Sequence, residues 1–116
     1  MVAFSAIAMS QEQPGKPAST WLTGKWAGKT KTGDELVMDL RVEGDNEVKG
    51  TGVVQQGGNK RLHPIINGTV HGDKVVLEAR YPSTGTVVRY VLAFVDGTLT
   101  GTSPEQKFKA TFKKLE

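Results

Sequence analysis

Two histidines, two tyrosines and one arginine are the residues of this chain best suited to chemistry, and their spacing limits what they can do. His63 and His71 lie eight positions apart. In an extended strand that places them on one face but roughly 26 Å apart at about 3.3 Å per residue, too far to share a metal ion. His63 precedes Pro64 and His71 opens the Gly72-Asp73 turn, so each reads as a strand-end histidine facing water. Tyr81 and Tyr90 fall on the apolar phase of their runs, where a phenol does acid-base work only if the fold brings an arginine or glutamate beside it. Arg89 interrupts the run of Val87, Val91, Ala93 and Val95. An unpaired guanidinium there would be costly to bury, and Glu78, or its equivalent on a second copy, is the expected partner. The chain has no cysteine, which excludes disulfides, thiolate metal ligation and a thiol nucleophile. No G-x-S-x-G, G-x-x-x-x-G-K-[ST] or H-E-x-x-H occurs, so no metal, cofactor or catalytic residue is expected from local motifs.

The elements that must position these residues are strands. Turn signals recur at Thr32-Gly33-Asp34, Gly44-Asp45-Asn46, Gly57-Gly58-Asn59, Gly72-Asp73, Ser83-Thr84-Gly85, Asp96-Gly97 and Ser103-Pro104-Glu105. Gaps of about 8–12 residues between such signals are those of an all-β sandwich or barrel, and no run keeps a helical period. The predicted fold is all-β, an antiparallel up-and-down barrel of about eight strands. Alternation assigns the faces: Leu36, Met38, Leu40 and Val42 inward against Glu35, Asp39, Arg41 and Glu43; Val75, Leu77, Ala79 and Tyr81 inward against Glu78 and Arg80; Phe108, Ala110 and Phe112 inward. Pro64 predicts a bulge or an edge position in the strand that carries the histidines. Glycines recurring in Gly50-Thr51-Gly52, Gly68-Thr69-Val70 and Gly97-Thr98-Leu99-Thr100-Gly101 suit bends and turns, not phosphate binding.

The run from Val87 to Val95 departs from one-sidedness, because Val88, Tyr90, Leu92 and Phe94 form one apolar face while Val87, Val91 and Val95 make most of another. Such a strand needs a cover, and a homo-oligomer interface through Val87, Arg89, Val91 and Val95 is the expectation, with the N-terminal arm as the alternative cover.

A length of 116 residues and a mass of 12.5 kDa suit one domain. Residues 20–116 are assigned to a single barrel and residues 1–19 to an N-terminal arm or signal-peptide remnant. Residues 2–9 are apolar and small, with Ala6 and Ala8 in an A-x-A arrangement ahead of the polar Gln11-Glu12-Gln13-Pro14, but a basic leader is missing. A periplasmic or secreted location follows as an expectation. No run reaches the roughly 18 apolar residues of a membrane-spanning helix, so no membrane span is expected. The net charge of +3 owes part of its excess to Lys107, Lys109, Lys113 and Lys114. Phe108 and Phe112 alternate with lysines, which turns rings and charges to opposite sides and argues against nucleic acid as a partner.

Gly24-Lys25-Trp26 opens the first strand after a proline-containing arm, and this resembles the G-x-W signature of calycins, the lipocalin- and avidin-type barrels. The likeness covers residues 20–116 in layout. It implies that Trp26 plugs one end of the barrel, with Lys113 or Lys114 over its ring. The only tryptophans are Trp21 and Trp26, so the tryptophans that line the biotin site of avidins have no counterparts and biotin binding is not implied. The function expected is non-catalytic binding of an apolar or amphipathic small molecule among Leu36, Met38, Leu40, Leu77, Tyr81, Tyr90, Leu92 and Phe108. An eight-stranded barrel is just wide enough to be filled by its own side chains, so a filled barrel acting as a self-assembling module is the first alternative. A small barrel enzyme using inward Tyr, Arg and Glu is the second.

Overall fold

The computed structural model describes residues 17–56, 58 and 60–115; the run of residues 2–9 lies outside them. One helical turn, α1 (Ala18–Trp21), precedes β1 (Gly24–Lys29), β2 (Glu35–Glu43), β3 (Glu47–Gln56), β4 (Lys60–Leu62), β5 (Ile65–His71), β6 (Lys74–Tyr81), β7 (Thr86–Val95), β8 (Thr98–Ser103) and β9 (Phe108–Lys114). The strands are antiparallel in the order β2-β1-β9-β8-β7-β6-β5-β3-β4, and a further β2–β3 pairing closes the sheet into an eight-stranded up-and-down barrel with β4 as an extra strand. Among the described residues no helix is long and apolar enough to cross a membrane.

Thr32-Gly33-Asp34, Gly44-Asp45-Asn46, Gly72-Asp73, Ser83-Thr84-Gly85 and Asp96-Gly97 each fall between consecutive strands of the barrel wall. Asp96-Gly97 is a two-residue turn flanked by the Val95–Thr98 pair, as Gly72-Asp73 is by the His71–Lys74 pair. Asp96 and Gly97 both have positive φ, 51° and 80°, as the two-residue turn that matches strand twist demands and as Asp-Gly readily supplies.

Alternation holds through the wall. Leu36, Met38, Leu40, Leu77 and Leu92 are buried and their sequence neighbours face water or are half-buried. Large inward side chains sit beside inward glycines: Leu40 opposite Gly50, Leu77 opposite Gly68, Leu92 opposite Gly101. A Cβ at Gly68 or Gly101 would lie 2.1 or 1.9 Å from the carbonyl oxygen of Val76 or Val91. Only glycine admits that approach of neighbouring backbones, and the approach is what lets the strands coil tightly enough to close.

The expected bulge is absent although the edge position is present, since β4 pairs with β3 alone at the end of the sheet order, and among the described residues the Arg89–Glu78 pair does not form. Pro64 makes no bulge: β3 pairs with β4 and with β5 in one unbroken register, and Gly52 N–H still donates to the Pro64 carbonyl at 2.9 Å. Proline has no N–H to give the ladder, and the strand is interrupted at His63 and Pro64 between β4 and β5. Arg89 and Glu78 are direct register partners on the outer face, yet among the described residues the ion pairs are Arg41–Glu43 and Lys49–Glu47. Both Arg89 and Glu78 are exposed, so water solvates each charge and removes the need for a partner.

Candidate ligand-binding site at the open end

The two ends of the barrel are built differently. At one end the chain enters through α1 and leaves after β9. Trp21 stacks on Phe94 with ring centroids 4.5 Å apart, and Phe94 meets Trp26 edge-on at 6.3 Å. The buried Trp26 indole N–H donates to the Leu22 carbonyl at 2.8 Å. Lys114 Nζ donates to the Trp21 carbonyl at 3.1 Å and sits 5.8 Å from the Trp26 ring centroid. These contacts take up carbonyls that a helical turn leaves open at its C-terminal end and shut this end of the barrel. Trp26 is buried at this end, and of the two C-terminal lysines it is Lys114, not Lys113, that lies over its ring.

The opposite end carries the β1–β2, β3–β4 and β6–β7 turns and holds a cavity of about 240 Å³ open to solvent. Its rim is polar, made of Thr30, Lys31, Thr32 and Asp34 from the first turn, Thr84 from the third, Thr86 at the start of β7 and Gln56 at the end of β3. Its walls are Val54, Leu62, Val88, Tyr81 and Tyr90. Tyr90 is also held from behind, edge-on to Phe112 with centroids 5.4 Å apart.

Asp34 is fixed by its own turn. Thr32 Oγ1 donates to Asp34 Oδ2 at 2.7 Å, Asp34 N–H donates to Thr30 Oγ1 at 3.2 Å, and Thr30 N–H donates to the Asp34 carbonyl at 2.8 Å. Burial, and secondly the negative charge of Asp34, raise the Tyr81 phenol above its ordinary value. Burial, and secondly Tyr81, push the Tyr90 phenol up to about 12. Both phenols are therefore neutral donors at physiological pH. Among the described residues neither hydroxyl has a hydrogen-bond partner in the protein.

Of the residues expected to line a ligand, Tyr81 and Tyr90 stand at the cavity. Leu36, Met38, Leu40, Leu77 and Leu92 are at most 2% exposed and pack in the barrel core, while Phe108 is half-buried against it. The rim threonines and Asp34 were not singled out from sequence. The one local sign of their role is the Thr30-x-Thr32-x-Asp34 spacing, which suits a side-chain-braced turn. His63 and His71 are exposed, and among the described residues no group of three or more His, Asp or Glu is placed to hold a metal ion. On the outside of β7, Val87 and Val95 are 50% and 46% exposed, and Val91 is half-buried beside its register partners Val76 and Thr102. No protein-family model matches the sequence, and no curated protein is similar to it.

Proposed function

We propose that the protein is a non-catalytic binding protein that takes an apolar or amphipathic small molecule at the open end of its barrel. The observation that carries this reading is the pairing of an apolar, phenol-bearing cavity with a polar rim at one end of a barrel whose other end is shut by Trp21, Trp26 and Phe94. Binding sites of this kind are concave and mostly apolar, with a few fixed polar groups that orient the ligand. The Trp26 plug under Lys114 supports reading the barrel as calycin-like, and the small-residue run of residues 2–9 supports an exported, periplasmic or secreted location.

A self-associating module is the second reading, favoured by the exposed Val87 and Val95 on the outside of β7. Native mass spectrometry of freshly purified protein weighs both, since it reports subunit number and retained ligand together. A small adduct released on denaturation and absent from Val88→Trp, whose indole would fill the cavity, supports the binding reading. A bare protein whose amide NMR spectrum also shows no saturable change on titration with 2-phenylethanol overturns it. An adduct-free dimer that Val87→Glu converts to monomer establishes the second reading instead.

A further inference from the structure

The cavity lining contains two charged residues, and they differ in how firmly they are held. Lys31 is exposed on the β1–β2 turn, whereas Asp34 is half-buried and braced by Thr30 and Thr32. Among the described residues no basic nitrogen forms an ion pair with its carboxylate. The fixed charge at the rim is thus negative, and its field reaches the cavity wall, where it helps to raise the Tyr81 phenol.

Covering such a carboxylate with an uncharged ligand strips water from it without compensation, which is costly. An anionic ligand adds repulsion to that cost. A cation reverses both effects, and the Tyr81 ring offers it a quadrupole as well. Size narrows the class further. An engineered apolar cavity of about 150 Å³ takes up benzene, so the 240 Å³ here accommodates an aromatic ring with a short side chain.

We propose that the cavity binds a small aryl-alkyl amine, its ring among Val54, Leu62, Val88 and Tyr90 and its ammonium on the Asp34 carboxylate. This deepens the binding function proposed above and depends on it. The test compares 2-phenylethylamine, 2-phenylethanol and phenylacetate by NMR titration of the full chain near neutral pH. The amine should bind about tenfold more tightly than the alcohol, the advantage of one hydrogen bond to a charged group, and phenylacetate most weakly. Asp34→Asn keeps an acceptor for the Thr32 hydroxyl and should bring the amine down to the affinity of the alcohol, leaving the alcohol unchanged. Lys31→Gln should strengthen the amine by removing a like charge. Equal saturable binding of amine and alcohol, or an amine advantage that survives Asp34→Asn, overturns the cation assignment and leaves the binding cavity standing. Saturation by none of the three overturns both.

Discussion

The plugged and open ends of this barrel use the same sheet to opposite purposes. At the plugged end aromatic rings are stacked, and the indole N–H of Trp26 and the ammonium of Lys114 each meet a carbonyl of the entering chain. At the open end two phenols stand in an apolar wall with no partner among the described residues, beneath a rim of threonines and one carboxylate. Satisfied polar groups rigidify a region, whereas the Tyr81 and Tyr90 hydroxyls line a cavity open to solvent and are not fully buried orphans, so water meets them there. The plugged end is therefore built for stability, and the open end leaves its polar groups to water.

The largest expected effect is at the plug. Trp26→Ala removes a fully buried indole, its bond to Leu22 and the edge-on partner of Phe94, and should cost about 3–5 kcal/mol of unfolding free energy in urea denaturation. Such a loss is a large part of the stability of a domain this size. A loss below about 1 kcal/mol, the scale of an ordinary substitution, would show that the plug is not a principal support and would erase the contrast between the ends.

Much of this architecture was legible in the sequence. Turns such as Asp96-Gly97 are set by local backbone chemistry, and the faces of β2, β6 and β9 by a period of two, so neither needs knowledge of distant residues. The α1 turn was not legible. Four residues have no helical period to detect and cannot be stable alone; this turn exists because Trp21 docks on Phe94, seventy-three positions away, and because Lys114 caps it. The cavity was hidden for a related reason. Alternation marks Leu40 and Tyr90 alike as inward, but only the stagger between strands decides that Leu40 lies deep in the core and Tyr90 beside the opening. That Asp34 and Tyr81, from different hairpins, line one cavity is likewise recorded by no local pattern.

A second prediction sharpens the contrast from the open end. Tyr90 ionises near 12 in the barrel against an ordinary value of 10.0, so below about pH 10 the phenol is neutral whether the chain is folded or not. Between pH 10 and 12 the unfolded chain gives up this proton while the folded one keeps it, and stability falls as pH rises, by about 2–3 kcal/mol in all. Tyr81, also raised, acts in the same direction. Tyr90→Phe should be less pH-sensitive than the parent across that window in urea denaturation. Parallel pH profiles would mean that the Tyr90 hydroxyl meets water freely and is not held in an apolar wall.

The smallest effect separates the two ends most cleanly. Lys114→Met keeps an apolar stem across Trp26 but removes the ammonium that bonds the Trp21 carbonyl and faces the indole ring. One half-buried hydrogen bond and one cation–π contact together suggest a loss of about 1 kcal/mol. Lys113→Met is the control, since Lys113 pairs with Ala27 and Thr98 on the outer face, where a solvated charge contributes little to stability. Lys114→Arg should retain most of the effect because a guanidinium both donates and stacks. Ligand affinity at the open end should be the same in all three variants. If Lys114→Met costs no more than Lys113→Met, the fit of Trp26 alone closes this end; if it weakens binding at the far opening, the two ends are coupled through the sheet and do not act independently.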